Sequence, residues 1–474
     1  MIIISDDFHI NERNFKALFD YFDEKKINSF TFADEWKSNP ICGRVGNYRS
    51  CAKDIRMSNY VSIIEQAIDN KNRDELYSFK YKSIELWPLV KSELSAFTIS
   101  ESYNNDVTYP YNSDGLFDFH YKHYVDDLIL AYSVACYWID VFKSKESDIW
   151  KCKAAFVFSG SYIYTKVLLT MLKKSPVRAY VIESTFMGIS FYCDEQYEHL
   201  SNNYLHQYEN RRNKAIAEAG STILIKDEND KLDYLRSRSL NKFMAMNNKN
   251  VNQPRPDSIP RFNDITKKSV LLVCQVVNDF SILESEKVVN SIEHYKSIIL
   301  EVLHNTDYNM VIKTHPWERK KIHLYNSMTL NKIDEFILGL DDCYKGRIYI
   351  NDDVNIYHLF SNIDHILTYC SQSGIEAALY GKKVIVNDEC SYAKCGFTKS
   401  YSDISDIPDL LEGSGDLNID EFSDFLDFFV AYDYMCIFNE RQSSNKLNML
   451  LSSPAKLAEY HRAINETSIS PFYN

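Results

Sequence analysis

The sequence predicts an α/β protein of two Rossmann-type domains facing a central cleft, with helices at the C-terminus. Three observations carry this reading. Short apolar runs with the length of buried strands alternate with helical stretches, both before and after a polar interval. That interval, 247–268, reads NNKNVNQPRPDSIPRFNDITKK; it holds three prolines and neither helical nor alternating apolar periodicity, as a linker does. The chain has 474 residues, too many for one ordinary core.

Before the interval, Ala154–Phe158 (AAFVF) has the composition of a buried parallel strand and stops at Ser159-Gly160. A helix is expected over Tyr162–Lys173, and further strands at Val177–Glu183 and Ser221–Ile225. After it, strands are expected at Ser269–Cys274, Asn309–Lys313, Arg347–Ile350, His365–Thr368 and Lys383–Val386. Helices are expected at Val289–Leu303, Val354–Ser361 and Gly374–Tyr380, and from Ile419 the pattern is mostly helical. The domains are then 1–246, a linker at 247–268, a second α/β domain at 269–425, and helices at 426–474 that pack back across both.

Composition narrows the function. Hydrophobic residues are 45% and charged residues 25%, as in ordinary globular proteins. A formal charge of −13 argues against a nucleic-acid binder, although a local pocket can still be basic. The eleven cysteines form no CxxC pair and are irregularly spaced, which suits a reducing compartment and buried thiols rather than zinc. The opening MIIISDDFHINERN lacks a basic region, and its apolar run is too short for a signal peptide. No stretch approaches the ~20 apolar residues of a membrane span. A cytoplasmic protein is expected, with peripheral contact at the inner membrane left open. The patch Arg319-Lys320-Lys321 reads better as a solvated face.

There is no GxGxxG and no GxxxxGK[ST], which disfavours dehydrogenases and P-loop NTPases. In open α/β sheets ligands bind beyond the carboxyl ends of the strands, so residues just after each strand are the candidates. Five groups stand there. Gln275-Val276-Val277-Asn278-Asp279 offers a carboxylate that can attack an anomeric carbon; the plainer reading of Asp279 is a helix N-cap. His315-Pro316 follows NMVIK, where a histidine can donate to a phosphate oxygen and Lys313 and Arg319 add positive charge; the plainer reading is a turn. Ser371-Gln372-Ser373-Gly374-Ile375-Glu376 opens a helix, with hydroxyls and N–H groups for an anion and Glu376 for a ribose; the rival is a Ser373/Glu376 capping box. Glu183, in the first domain, can take a proton from an acceptor hydroxyl, or can simply cap a turn. The loop Ser391–Thr398, with Tyr392 and Gly396, suits a ligand-facing or an ordinary surface loop. Asp352-Asp353 reads as a solvated loop rather than a metal pair, and no metal is expected.

On QVVND (275–279), THP (314–316), SQSGIEAALYGKKVIV (371–386), YAKCGFT (392–398) and ESTFMGISFYCDEQYEHLSNN (183–203), the chain resembles the bacterial capsule polysaccharide biosynthesis family that contains the retaining β-Kdo transferases. The resemblance implies the GT-B glycosyltransferase architecture and a metal-independent transfer from CMP-β-Kdo to a glycan or lipid-linked glycan acceptor. It makes Asp279 the nucleophile, Glu183 the acid/base candidate and Gln275 a residue that positions the sugar. His315, Ser371 and Ser373 would hold the phosphate and Glu376 the ribose, and Pro316, Gly374, Lys313 and Tyr392 complete the candidate donor-binding residues. Lys394-Cys395 departs from the Gly-Trp of the family, and one catalytic unit points to a single-module O-antigen or capsule enzyme. The competing readings are a transferase for another CMP-ulosonic acid or a UDP-sugar, a glycan-binding protein of capsule export, and an epimerase.

Overall fold

The computed structural model describes residues 1–32, 48–49, 58–184, 191–199, 232–233, 235–237, 239–240, 266–320, 324, 327–393, 395–413, 417–426, 434–435, 447–448 and 450–451. The expected strand at 221–225, the linker up to 265, Lys394 and most of the C-terminal segment lie outside these residues.

The strands of the first half are β1 (Ile2–Ile4), β2 (Ser29–Thr31), the hairpin pair β3 (Lys80–Tyr81) and β4 (Ile84–Glu85), β5 (Ala154–Phe158), β6 (Arg178–Ser184) and β7 (Phe191–Glu195). Those of the second half are β8 (Ser269–Val273), β9 (Asn309–Lys313), β10 (Ile348–Asn351), β11 (His365–Thr368), β12 (Lys383–Asn387) and β13 (Lys399–Tyr401), followed by β14 (Tyr434–Met435). They assemble into two six-stranded sheets, ordered β2-β1-β5-β6-β7-β14 and β10-β9-β8-β11-β12-β13. The second sheet is parallel throughout. Counted within its own domain, its order is 3-2-1-4-5-6, that of dinucleotide-binding Rossmann sheets. The first sheet is parallel from β2 to β6 and then turns antiparallel at β7 and β14. The molecule therefore holds the two Rossmann-type domains that the sequence predicts.

Each sheet has one point where the chain order reverses. In the second it lies between β8 and β11, and in the first between β1 and β5. Connections leave such neighbours in opposite directions, which opens a crevice at their carboxyl ends.

The isoleucines at the N-terminus, which the sequence showed only as a short apolar run, form β1, a central strand with side chains 0–2% exposed. Alternate residues serve opposite faces, as the strand period requires. Ile3, Ala155, Val157, Ala179 and Val181 meet a helical layer built on Trp87–Asn104, Val125–Ser144 and Ile163–Leu172. Ile2, Ile4, Phe156, Tyr180 and Ile182 meet the helix Lys16–Glu24. Trp87–Asn104 is buried on nearly every side, so it shows no apolar stripe in the sequence.

The chain returns to the first domain after the second. β14 pairs antiparallel with β7, and Leu447 and Leu450 join the first core. Arg178 and the Tyr180 hydroxyl donate to the Leu450 carbonyl at 2.7 and 2.6 Å. A strand thus stands in a stretch expected to be helical; β7 leaves an open edge, and edge backbone needs partners.

The domains meet through the segment after β8. Val276, Val277 and Leu283 lie in one core with the helical layer of the first domain. Beside them Lys166 and Glu284 form a buried ion pair at 2.7 Å, and Tyr103 donates to Asn290 at 2.7 Å. Glu93, midway along Trp87–Asn104, is fully buried there and accepts from the backbone N–H groups of Ile163 (2.7 Å) and Tyr48 (3.2 Å).

Burial pushes the Glu93 carboxyl up from 4.5 to about 8, with its two backbone donors and Lys166 opposing. Between those values the folded state keeps a proton that the unfolded chain has lost. The Glu93 contribution is therefore greatest below about pH 4.5 and declines as pH rises to about 8. Urea unfolding of wild type and Glu93→Gln across pH 5–8 should show a steeper loss of stability in wild type, by at most about 1.4 kcal/mol per pH unit. Parallel curves for the two proteins would exclude this role for Glu93.

Candidate active site at the carboxyl edge of the second sheet

The segment after β8 is tied on both sides. The Gln275 carboxamide oxygen accepts from the Cys370 N–H (3.1 Å), joining the ends of β8 and β11, and Gln275 N–H donates to the Tyr295 hydroxyl (2.9 Å). The Val277 N–H donates to Glu318 (2.8 Å). Asp279 is the N-cap of the short helix Phe280–Leu283, with Oδ1 accepting from Ser281 N–H at 2.9 Å. The capping role is therefore real, and it occupies one carboxylate oxygen of a half-buried side chain.

His199, which lies inside the 183–203 stretch but is not itself singled out by the sequence, lies within electrostatic reach of Asp279. Burial lowers its pKa to about 4, reinforced by Lys166 and opposed by Glu284 and Asp279, so the ring is neutral near pH 7. It follows β7, the antiparallel strand, where the strand-end rule for parallel sheets gives no pointer.

The turn after β9 differs from expectation in its cations. The Lys313 ammonium is buried and donates to the carbonyls of Thr314 (3.0 Å) and Asp352 (2.7 Å); burial pulls its pKa down to about 7, against the pull of Asp352 and Asp353. Arg319 grips Asp352 with two nitrogens, Nε at 2.5 Å from Oδ2, and lies 3.7 Å from Asp353. These two cations hold the β9 and β10 turns together. Asp352 is 3% exposed, so it is a buried ion-pair member and not a solvated loop residue.

Pro316 starts a 3₁₀ turn, Pro316–Lys320, that brings the Trp317 N–H onto His315 Nδ1 at 3.2 Å. That bond makes Nδ1 the acceptor and puts the proton of the neutral ring on Nε2, the state needed to donate to a phosphate oxygen. Glu318, also unmarked in the sequence, is wholly buried. It accepts from Val277 N–H and from the Thr329 N–H (2.9 Å) and hydroxyl (2.8 Å). The turn at His315 thus carries the group that fixes the Asp279 segment.

After β11, Ser371 Oγ accepts from the Ser373 N–H at 3.2 Å, and the helix Ser373–Leu379 begins with Gln372 as N-cap and no side-chain cap bond. The Ser373/Glu376 capping box does not form. Glu376 instead accepts on Oε1 from the hydroxyls of Tyr357 (2.8 Å) and Ser239 (2.9 Å), which aim it away from its own helix end. Tyr392 is 1% exposed and donates to the Ser371 carbonyl. It supports the serine turn from below; with Ala393, Cys395 and Phe397 also buried, the expected ligand-facing loop is largely packed. Gly374 is what lets Tyr392 approach, since a Cβ there would overlap its hydroxyl and meet Cζ at 3.0 Å.

Across the cleft, Glu183 lies on β6, paired with Tyr192, and is half-exposed. Its charge acts on Tyr162, and the Tyr162 ring meets Phe280 edge to face at 5.2 Å. Phe280 is the neighbour of Asp279, so the carboxyl edges of the two sheets face each other at this contact. The site thus gathers Gln275, Asp279, Lys313, His315, Ser371 and Ser373 at the ends of the adjacent strands β8, β9 and β11. Glu376 lies one turn further on, Tyr392 lies beneath, and Glu183 opposes. No group of three or more His, Cys, Asp or Glu among the described residues is disposed to hold a metal ion. No helix among them is long and apolar enough to cross a membrane.

Residues 225–406 match the capsule polysaccharide biosynthesis protein family. The matched span contains QVVND, THP, SQSGIE and YAKCGFT; Glu183 precedes it. No curated protein matches the chain. Among solved structures, the β-Kdo 2,4 transferase of Thermosulfurimonas dismutans KpsC aligns at 16% identity over 58% of this chain and 87% of its own, with a TM-score of 0.33. The β-Kdo 2,7 transferase of the same protein aligns at 18% identity over 66% and 88%, with a TM-score of 0.34. The UDP-GlcNAc 2-epimerase of Methanocaldococcus jannaschii aligns at 12% identity over 68% and 81%, with a TM-score of 0.32.

The Gly374–Tyr392 contact predicts a rescue. Gly374→Ala should destabilise the fold by about 1–3 kcal/mol through overpacking. Adding Tyr392→Phe, which removes the overlapping hydroxyl, should recover part of that loss in urea unfolding. If the double variant loses the full sum of the single effects, the contact does not explain the glycine.

Proposed function

We propose that this chain is a retaining glycosyltransferase that moves Kdo from CMP-β-Kdo to a surface-glycan acceptor of the O-antigen or capsule type. One observation supports the reading: Asp279 follows β8 and the hydroxyl-rich turn of Ser371 and Ser373 follows β11, the two neighbouring strands at the reversal point of a 3-2-1-4-5-6 sheet, and His315 follows β9 on the other side of β8. A nucleophile beside an anion site is what a nucleotide-sugar substrate requires. The family match over 225–406 supports the same reading.

The chemistry follows from the placement. The nucleotide phosphate lies against Ser371, Ser373 and His315 Nε2–H, and Glu376 accepts from the ribose hydroxyls through Oε2. Lys313 acts at one remove, by shaping the turn that presents His315. Asp279 attacks the anomeric carbon; the bond to the phosphate oxygen breaks, and CMP leaves with the electron pair. The acceptor oxygen then attacks the same carbon from the vacated face, and Asp279 leaves as a carboxylate. Two inversions retain the configuration. Hydroxyls and an imidazole N–H can stabilise the departing phosphate without a metal ion. Glu183 stands on the acceptor side, where it can bind or deprotonate the incoming hydroxyl.

The test is intact-mass spectrometry with CMP-Kdo generated in situ. Wild type should carry a Kdo adduct, and Asp279→Asn should carry none. Asparagine caps a helix about as well as aspartate, so the fold is kept while the nucleophile is lost. CMP release should fall by roughly 10³-fold or more. Equal CMP release by the two proteins would exclude Asp279 as nucleophile, and no release by wild type would exclude the donor.

A further inference from the structure

The first sheet has its own reversal point, between β1 and β5, and it too bears a chemical group. Asp6 follows β1, is fully buried, and accepts from four donors: Ser5 hydroxyl (3.1 Å), Tyr164 hydroxyl (2.6 Å), His9 N–H (2.6 Å) and His9 Nδ1 (3.1 Å). Burial raises the Asp6 pKa, but the bonds from His9 and Tyr164 outweigh it and hold it below the usual carboxylate value. A carboxylate can only accept, so Nδ1 of His9 is the donor, and when the ring carries a single proton Nε2 is the acceptor.

The His9 ring is also fixed in plane. It stacks on Phe158 at 4.4 Å and 3°, and on Tyr162 at 5.3 Å and 21°. Tyr162 is the residue that meets Phe280 beside Asp279. The His9 side chain is 15% exposed, and its Nε2 takes no partner among the described residues. Phe8, next to it, is 56% exposed, an apolar face of the kind on which a pyranose ring packs. The chain bends directly after β5: Ser159 holds φ +57°, a left-handed conformation costly for a residue with a Cβ, and Gly160 holds +81°. Glu183 stands two strands from β1 on the same edge.

We propose that His9 is the general base for the glycan acceptor, with Asp6 as the positioning residue that sets its tautomer and Phe8 as the platform for the acceptor ring. The inference rests on the transferase reading above. In the second displacement the acceptor O–H proton passes to His9 Nε2 while the oxygen bonds to the anomeric carbon and Asp279 departs; the imidazolium then returns the proton to solvent. Imidazole suits proton transfer near neutral pH better than a carboxylate does. Glu183 then serves as a hydrogen-bond partner for the acceptor.

Two measurements test this, the first independent of any donor. In nitrogen-15 histidine spectra of the full chain, with His9 assigned through His9→Gln, wild type should show the Nδ1–H tautomer, and Asp6→Asn should shift it towards Nε2–H. A wild-type ring protonated on Nε2 overturns the proposal. The second uses CMP-Kdo with and without azide, a nucleophile that needs no base. His9→Gln should still form the Kdo adduct, turn it over about 10²–10⁴-fold more slowly, and be rescued by azide. Wild-type turnover in that variant, or failure to form the adduct, overturns the proposal. If wild type itself releases no CMP, the donor reading fails, and the tautomer spectrum alone decides whether Asp6 holds His9 as a base.

Discussion

The hydrogen bonds of the buried Glu318 carboxylate are the constraint on which the cleft depends. One oxygen holds the backbone N–H of Val277 and the Thr329 hydroxyl, and the other holds the Thr329 N–H. The segment between β8 and Asp279 has no regular structure of its own to define its path. A buried carboxylate is tolerated only when its oxygens are satisfied, so this one restricts the segment to a conformation that satisfies it. The Gln275–Cys370 bond and the Lys166–Glu284 pair add two further anchors, to β11 and to the first domain. Asp279 is thereby aimed by residues from three separate parts of the chain.

The same anchors join the domains. Apolar residues after β8 share a core with helices of the first domain, so the second sheet's reversal point is packed against the first domain and not merely tethered to it. Tyr162 and Phe280 mark where the two carboxyl edges meet. Each edge presents a different chemistry there. The second offers hydroxyls, an imidazole N–H and a carboxylate. The first offers a carboxylate-oriented imidazole, a second carboxylate and aromatic faces. That division suits a charged donor on one side and a sugar hydroxyl on the other.

Much of the second domain was legible in its residues. β9 and β11 fall on the expected bounds, and the other expected strands there differ by a residue or so, because a buried parallel strand is a short apolar run with polar punctuation. The first domain was less legible. β1 is three residues long, and the helix Trp87–Asn104 is buried all round, so neither leaves a periodic signature. The local alternatives also divided. Asp279 does cap its helix, whereas Glu376 does not join a capping box, because Tyr357 and Ser239 bind it first.

By itself the sequence determined the α/β class, five of the six strands of the second sheet (β13 excepted) and the residues that follow them, because apolar periodicity and strand-end position are local properties. Tertiary structure alone decided which of those residues remain available for chemistry. Arg319 is taken up by Asp352, Lys313 by two carbonyls, and Tyr392 by Ser371, while Asp6, His9, His199 and Glu318 acquire roles that no neighbouring residue announced. The physical reason is that a polar side chain must find a partner when buried, and its partner usually comes from a segment far away in sequence.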